Sequence, residues 1–432
     1  MHRILVLLKN NEIIKKSSQS IFFRSIGSLF GYIFLILVTK ELGAKNWGTI
    51  VLCMALLNIS NIFARLGVDV YVLKFVSASK GVLNEIKTVY LSAVRIVVAA
   101  SFIVALFLFF SSNLIAESIL NKAYFSIYIK YISILIPLFS IHCINEQTFR
   151  GMKKISIFSF FQSTSKMMMT VILFLIFYYL LGINHNVGIY SYFSALLLVF
   201  ISSTIFVFIK LRKGIREELI KPSVLLESSI PMMMSTSVLL LMSWADTLML
   251  GIFCDESQVG IYNVAVKVAF LASFALTSIN SISAPKISET YNNKDLPAFY
   301  KVVSQTTKTI FFSTIPLVAF VFIFPEFILN FFGKEFLSAR VALLILVFSQ
   351  LINTMSGSVG IILNMTGKEK IFRNILSIAL VINVTLNLLL IPRFGIEGAA
   401  IASATSMIFW NLYSVYYVYR EYNILAFISF SK

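Results

Sequence analysis

The chain has 432 residues, 58% of them hydrophobic and only 13% charged, with a net charge of +17. Soluble domains carry roughly 25% charged residues, so a soluble or secreted protein is excluded, and too little polar sequence remains for a sizeable domain outside a membrane. The basic excess lies in short loops between apolar runs, which points to anionic membrane lipids as partners rather than nucleic acid.

Apolar runs long enough to span a bilayer, each read as a helix because only helices satisfy every backbone group within one segment, recur twelve times. The first six are predicted near Ile21–Val38, Thr49–Phe63, Tyr90–Phe110, Ile127–Ile144, Met167–Leu181 and Val187–Ile209. The second six follow at Ile230–Phe253, Gly260–Ile282, Thr309–Phe331, Val341–Leu363, Ile371–Ile391 and Gly395–Val418. No cleavable signal peptide is expected, because the first apolar run, Ile4 to Leu8, is too short. Most of the 36 Lys and Arg residues fall on one side of this arrangement, which places both termini in the cytoplasm.

The predicted fold class is all-α integral membrane, with an N-terminal six-helix lobe at residues 1–209, a cytoplasmic linker at 210–229 and a C-terminal lobe at 230–432. The linker holds Lys210, Arg212, Lys213, Arg216, Lys221 and Pro222. The halves echo each other. Trp47-Gly48 matches Val259-Gly260, Gly151 before span 5 matches Gly367 before span 11, and Gly188-Ile189 matches Gly395-Ile396, all at nearly one offset. Two repeats with an even number of spans are related by a pseudo-two-fold axis along the membrane normal, an architecture that binds substrate between lobes.

Several segments then resemble a known family. They are Leu42-Gly43-Ala-Lys-Asn-Trp47-Gly48, Gly67-Val-Asp69, Asp246-Thr-Leu-Met-Leu-Gly251, Val259-Gly260-Ile-Tyr262-Asn-Val-Ala265-Val-Lys267, Phe332-Gly333-Lys-Glu-Phe336, and Asn387 through Pro392 and Gly395 to Ala402. In this order they are similar to Wzx-type polysaccharide flippases, in the superfamily that also holds multidrug exporters and lipid II flippases. The resemblance covers essentially the whole chain. It implies translocation of an undecaprenyl-pyrophosphate-linked oligosaccharide, such as an O-antigen repeat unit, from the inner to the outer leaflet of the bacterial inner membrane. It also implies a polysaccharide polymerase and a chain-length regulator as partners.

Ionisable residues inside spans are functional candidates, because burying a charge in hydrocarbon is costly. Asp246 in span 7 and Lys267 in span 8 each sit about 10 Å below the outer surface at 1.5 Å per residue. Either they form a fixed ion pair, or Asp246, as the ion-coupling candidate, takes up a proton when Lys267 moves away. Arg24 and Arg95 lie towards the cytoplasmic side, where guanidinium groups suit a pyrophosphate; snorkelling to the interface is the rival reading. For Arg24, similar flippases favour the functional one, since they carry basic residues in their first spans. Trp244 is a candidate to stack on a sugar ring, and Asn263, with Ser235, Thr236 and Ser237, to meet hydroxyls; interhelical packing accounts for them equally. Lys130 suits an interfacial belt with Tyr124, Tyr128 and Tyr131. Arg65 and Asp69 close the inner end of span 2. His142 and Glu146 share a helix face as a hydrogen-bonded pair.

No metal site is expected from His2, His142 and His185, no disulfide framework from Cys53, Cys143 and Cys254, and no cofactor. The sequence has no GxxxxGK[ST] loop, so ATP is not the driver and a proton or sodium gradient is expected instead. Two rivals stay open. A multidrug exporter would favour an acidic cavity, whereas the span-embedded charges are mostly basic. A membrane polymerase would need a long outer loop with catalytic residues, and the longest here holds only Glu117 and Lys122.

Overall fold

The computed structural model describes residues 12–79, 81–183, 186–215 and 218–428. His2, His185, Arg216 and the side chains of Ser235 and Thr236 lie outside the described residues. Every regular element among those residues is a helix. Eight helices are long and apolar enough to cross a membrane, or ten if Pro222–Met234 with Ser237–Phe253 and Glu256–Leu271 with Ser273–Asn292 each count as one bent span.

The twelve predicted runs map unevenly onto these helices. The first two share one 54-residue helix, α1 (Glu12–Arg65), and the last two share another, Glu369–Tyr422. In each, one glycine leaves helical geometry: Gly43 at φ 79° and ψ 178°, and Gly395 at φ 54° and ψ −128°. A residue without Cβ adopts these angles freely, so the direction changes within one residue and no separating loop is needed. The run Thr309–Phe331 is instead divided, because Pro325 opens a new short helix, Pro325–Asn330, just after Leu296–Ile323 ends. Proline fits the first helical turn, where its missing N–H has no partner to lose. Pro137 and Pro316 lie inside continuous helices.

The helices cluster in two compact units, one of the chain up to Leu42 with Leu52–Ser237, the other of Gly43–Val51 with Val238 onward. In the first unit, α1 is followed by α2 (Val68–Ala78), α3 (Leu83–Phe110), α4 (Ser126–Gly151), α5 (Ile155–Leu180) and α6 (Val187–Leu211). The short α2 supplies Tyr71, Val72 and Val76 to a core completed by Ile144 and Phe149 of α4 and by Val199 and Leu211 of α6. Two stretches of α5, Phe160–Ser165 and Ile176–Leu180, widen to π-helix. The start of α1 lies against the first of these. A Cβ on Gly27 would stand 2.4 Å from the Ser163 carbonyl oxygen, and the Thr164 hydroxyl donates to the Phe23 carbonyl at 2.6 Å.

The second unit contains the outer part of α7 (Pro222–Phe253), then α8 (Glu256–Leu271), α9 (Ser273–Asn292), α10 (Leu296–Ile323), α11 (Arg340–Met355), α12 (Val359–Met365) and α13 (Glu369–Tyr422). Its core joins Phe299 and Val303 of α10, Ile362 and Leu363 of α12, and Ile375 and Val418 of α13. Ile424 and Ala426, past the end of α13, close the same core.

The surfaces of both units are apolar where a soluble protein would be charged. Phe102, Ile103, Leu106, Phe107 and Phe110 of α3 are exposed, as are Ile205, Phe208 and Ile209 of α6. Contiguous apolar surface on this scale is stable against lipid and a liability in water.

Candidate functional site

Polar side chains gather in both units, and the second unit holds a buried constellation. In the second unit its centre is Asp246, buried at 8% exposure on α7. One carboxylate oxygen, Oδ1, accepts from Asn383 Nδ2 at 3.0 Å and Asn387 Nδ2 at 2.7 Å. The other, Oδ2, accepts from the Tyr262 hydroxyl at 2.9 Å and from the Ser403 hydroxyl. Four neutral donors match the roughly four lone-pair positions of an ionised carboxylate. A charge in an apolar helix bundle is thereby held by hydrogen bonds from three other helical segments.

The four partners are placed by periodicity. Asn383 and Asn387 are one helical turn apart on α13, so both amides reach the same face, and the first amide oxygen accepts from the second amide at 3.1 Å. Beyond the break at Gly395, α13 presents Ser403; Tyr262 comes from α8, whose first turn is capped by Asp255 accepting from Gln258 N at 2.8 Å. The Asn387 Oδ1 atom is buried with no hydrogen-bond partner among the described residues. One carboxylate met by two amide N–H groups, a phenol and a hydroxyl is not a ligand set for a transition metal. Among the described residues no three His, Cys, Asp or Glu side chains gather as a metal site.

Lys267, the sequence-predicted partner of Asp246, is exposed on α8. Trp244 is half-buried on α7. Asn263 is buried next to Tyr262, and its Oδ1 lacks a partner among the described residues.

In the first unit, Arg24 is exposed on α1 and lies close enough to Arg150, at the end of α4, for their charges to interact. Arg150 also stands over the Phe158 ring, 5.3 Å from its centroid. Contacts between α1 and α5 hold this arrangement: Ser156 donates to Gln19 at 2.6 Å and Ser159 to Ser20 at 2.9 Å. Two neighbouring guanidinium groups repel each other unless an anion lies between them, which is the chemistry of phosphate recognition. Arg95 is exposed on α3 and Lys130 half-buried on α4. Arg65 is tied to Asp69 at 2.8 Å, both side chains largely buried. His142 and Glu146 form their pair at 2.9 Å.

Sequence reading singles out Asp246 and Arg24 as candidates and assigns no role to Asn383, Asn387, Ser403, Tyr262 or Arg150. Asparagines four apart in an otherwise apolar helix are the signal that points to the first two.

The fold and these constellations define a polytopic helical membrane protein with an isolated carboxylate in one unit and paired guanidiniums in the other. The chain belongs to the polysaccharide biosynthesis protein family, whose model matches residues 13–291; a second family model, MatE, matches residues 231–389. A structure titled as an inward-facing multidrug resistance MATE family transporter of the MOP superfamily shares the fold with a TM-score of 0.73 at 12% identity, over 92% of this chain and 95% of the other. The lipid II flippase MurJ in an inward closed conformation gives 0.72 at 17% identity, over 94% and 87%. Among curated relatives, the probable low-salt glycan biosynthesis flippase Agl15 of Haloferax volcanii is 28% identical over 38% of this chain and 35% of its own length. The probable flippase AglR of the same organism is 30% identical over 40% and 37%. The capsular polysaccharide biosynthesis protein CapF of Staphylococcus aureus is 25% identical over 45% and 49%. The chain thus spans between about a third and a half of the length of these relatives.

Proposed function

We propose that this protein is a flippase that moves an undecaprenyl-pyrophosphate-linked oligosaccharide repeat unit from the inner to the outer leaflet of the plasma membrane. The observation that supports this most is the neighbouring pair Arg24 and Arg150, a dication suited to a diphosphate head group, in a chain of the polysaccharide biosynthesis protein family. Arg95 and Lys267, both exposed, extend the basic set along the route. Trp244 and Asn263 serve the sugar, Arg65 and Lys130 are secondary contacts, and the prenyl tail stays in lipid.

On this reading the chain crosses the membrane twelve times in two six-helix lobes, divided near residues 210–229, with both termini in the cytoplasm. Transport proceeds by alternating access with no chemistry on the cargo. Asp246 couples it to an ion gradient, as a buried carboxylate whose neutral hydrogen-bond partners can yield to a proton or a monovalent cation. A polymerase and a chain-length regulator receive the cargo outside.

The MatE match over residues 231–389 favours a second reading, a multidrug exporter. Cationic drugs need acidic partners, and the neighbouring Arg24 and Arg150 of the first unit argue against that reading. The leaflet distribution of lipid-linked oligosaccharide in cells with and without the protein separates the readings. Accumulation on the inner leaflet in its absence supports the flippase. An unchanged distribution refutes it, and loss of polymer while single repeats still reach the outer leaflet points to a polymerase.

A further inference from the structure

The cluster around His142 has no part in the account above. His142 is buried at 2% exposure in the middle of α4, and its two ring nitrogens face different partners. Nε2 lies 2.9 Å from Glu146 Oε1 and Nδ1 lies 2.9 Å from the Ser203 hydroxyl of α6. Ser203 has a second acceptor within reach, the Phe200 carbonyl at 3.0 Å, and itself accepts from Asn145 Nδ2 at 3.1 Å.

Counting donors shows what this permits. With a neutral ring, the Ser203 hydroxyl donates to Nδ1 and Nε2–H donates to Glu146. With a protonated ring, both nitrogens donate, Nε2–H to Glu146 and Nδ1–H to the Ser203 oxygen, while the Ser203 proton turns to the Phe200 carbonyl. Every polar atom stays satisfied in both states, and the change is the rotation of one hydroxyl.

The charged surroundings suit an added proton. Arg65 at the end of α1 and Lys166 of α5 oppose Asp69 of α2 and Glu146 of α4, so these four charges cancel when the ring is neutral. Glu146 is near enough to both cations to interact with them. The remaining titratable groups turned towards the cluster are Tyr90 of α3, which donates to Asn145 Oδ1 at 2.8 Å, Tyr192 of α6 beside Lys166, and Cys143 on α4 itself. The rings of Phe139 and Phe161, 6.5 Å and 6.3 Å from the imidazole centroid, flank the position where the positive charge would form.

We infer that His142, with Glu146 and Ser203, is a proton-binding site within the first unit, built from residues separate from the Asp246 constellation. It binds one proton per chain, on Nδ1 of the imidazole. The inference does not rest on the identity of the cargo.

The chain has three histidines, so His2→Gln with His185→Gln leaves His142 alone. Nitrogen-15 NMR of histidine-labelled protein in lipid nanodiscs then reports the protonation of each ring nitrogen. The expected result is a one-proton change, as the pH is lowered, from an Nε2–H neutral ring to a ring protonated on both nitrogens. Glu146→Gln is expected to lower the midpoint by about one pH unit or more, because the neighbouring negative charge is lost. A ring whose signals stay in one form from pH 5 to 9 would mark a fixed structural pair and overturn the inference. A midpoint unmoved by Glu146→Gln would overturn the role given to that carboxylate.

Discussion

Gly48 and Gly260 pack backbone to backbone. A Cβ on Gly48 would stand 2.8 Å from the Gly260 nitrogen and 1.7 Å from the Glu256 carbonyl oxygen, and one on Gly260 would stand 2.2 Å from the Ala44 carbonyl oxygen. The contact draws Gly43–Val51 into the second unit although the chain on either side belongs to the first. The Glu335 carboxylate fastens the same segment by accepting from Ala44 N at 2.7 Å. Small residues spaced four apart let helices approach this closely in lipid, where packing and not hydrophobicity drives association.

Any side chain at either glycine therefore meets backbone that cannot move aside. Gly48→Val and Gly260→Val are each expected to destabilise the protein by at least the about 1–3 kcal/mol of an overpacked core. Thermal unfolding followed by size-exclusion chromatography in detergent should show this as a lower midpoint or loss of the monodisperse peak. A midpoint equal to that of the parent would mean that the helices separate without penalty.

Asp246→Asn is expected to leave the protein folded but reduce transport at least about tenfold, because the replacement keeps the shape and removes the charge on which the proposed coupling rests. Asn387→Ala should weaken the dependence on the driving ion more than the maximal rate, since Asn387 supplies a ligand oxygen and not the charge. Transport assayed over a range of sodium and proton gradients distinguishes the two effects. Undiminished, gradient-dependent transport by Asp246→Asn would remove Asp246 from the coupling step.

Arg24→Ala and Arg150→Ala should each reduce export by about tenfold, the loss of one charge-assisted contact to a phosphate. Lys267→Ala should also reduce it, with normal protein abundance in the membrane for all three. Full export by both arginine variants at normal abundance would leave the guanidinium pair without a function.

Asp69→Ala strands the guanidinium of Arg65, whose side chain is 16% exposed. Breaking a fully buried ion pair costs about 3–5 kcal/mol, and this partly accessible one is expected to cost about 2 kcal/mol or more. Replacing both residues with apolar side chains of similar volume should restore most of that loss. A double variant as unstable as Asp69→Ala alone would show that the pair does more than satisfy itself.

The lipid-facing helices are legible in the sequence because a bilayer demands long apolar runs, as at Leu83–Phe110 and Val187–Leu211. Two of the matched glycines, Gly48 and Gly260, are legible as well, and the packing requires that they carry no side chain. The continuity of α1 and α13 is not, because Ala44-Lys-Asn-Trp47 and Pro392-Arg-Phe394 read as polar or turn-forming loops, while one glycine at each break lets the helix resume at once. Asp246 stands out as a charge in an apolar run, but three of its partners, Asn383, Asn387 and Ser403, lie more than a hundred residues away. Only the packing of α7, α8 and α13 brings them together. Arg150 escapes notice in the same way: it reads as an inner-loop residue until α1 places Arg24 beside it.

The measurement that tests the central claim most directly uses purified protein in sealed vesicles containing a polyprenyl-pyrophosphate-linked oligosaccharide, with an imposed sodium or proton gradient. The fraction of oligosaccharide open to an externally added glycosidase is followed with time. The account predicts that the fraction accessible from outside changes in the vesicles containing protein, at a rate that depends on the gradient and falls at least about tenfold with Asp246→Asn. Equal accessibility over time in vesicles with and without the protein would contradict it.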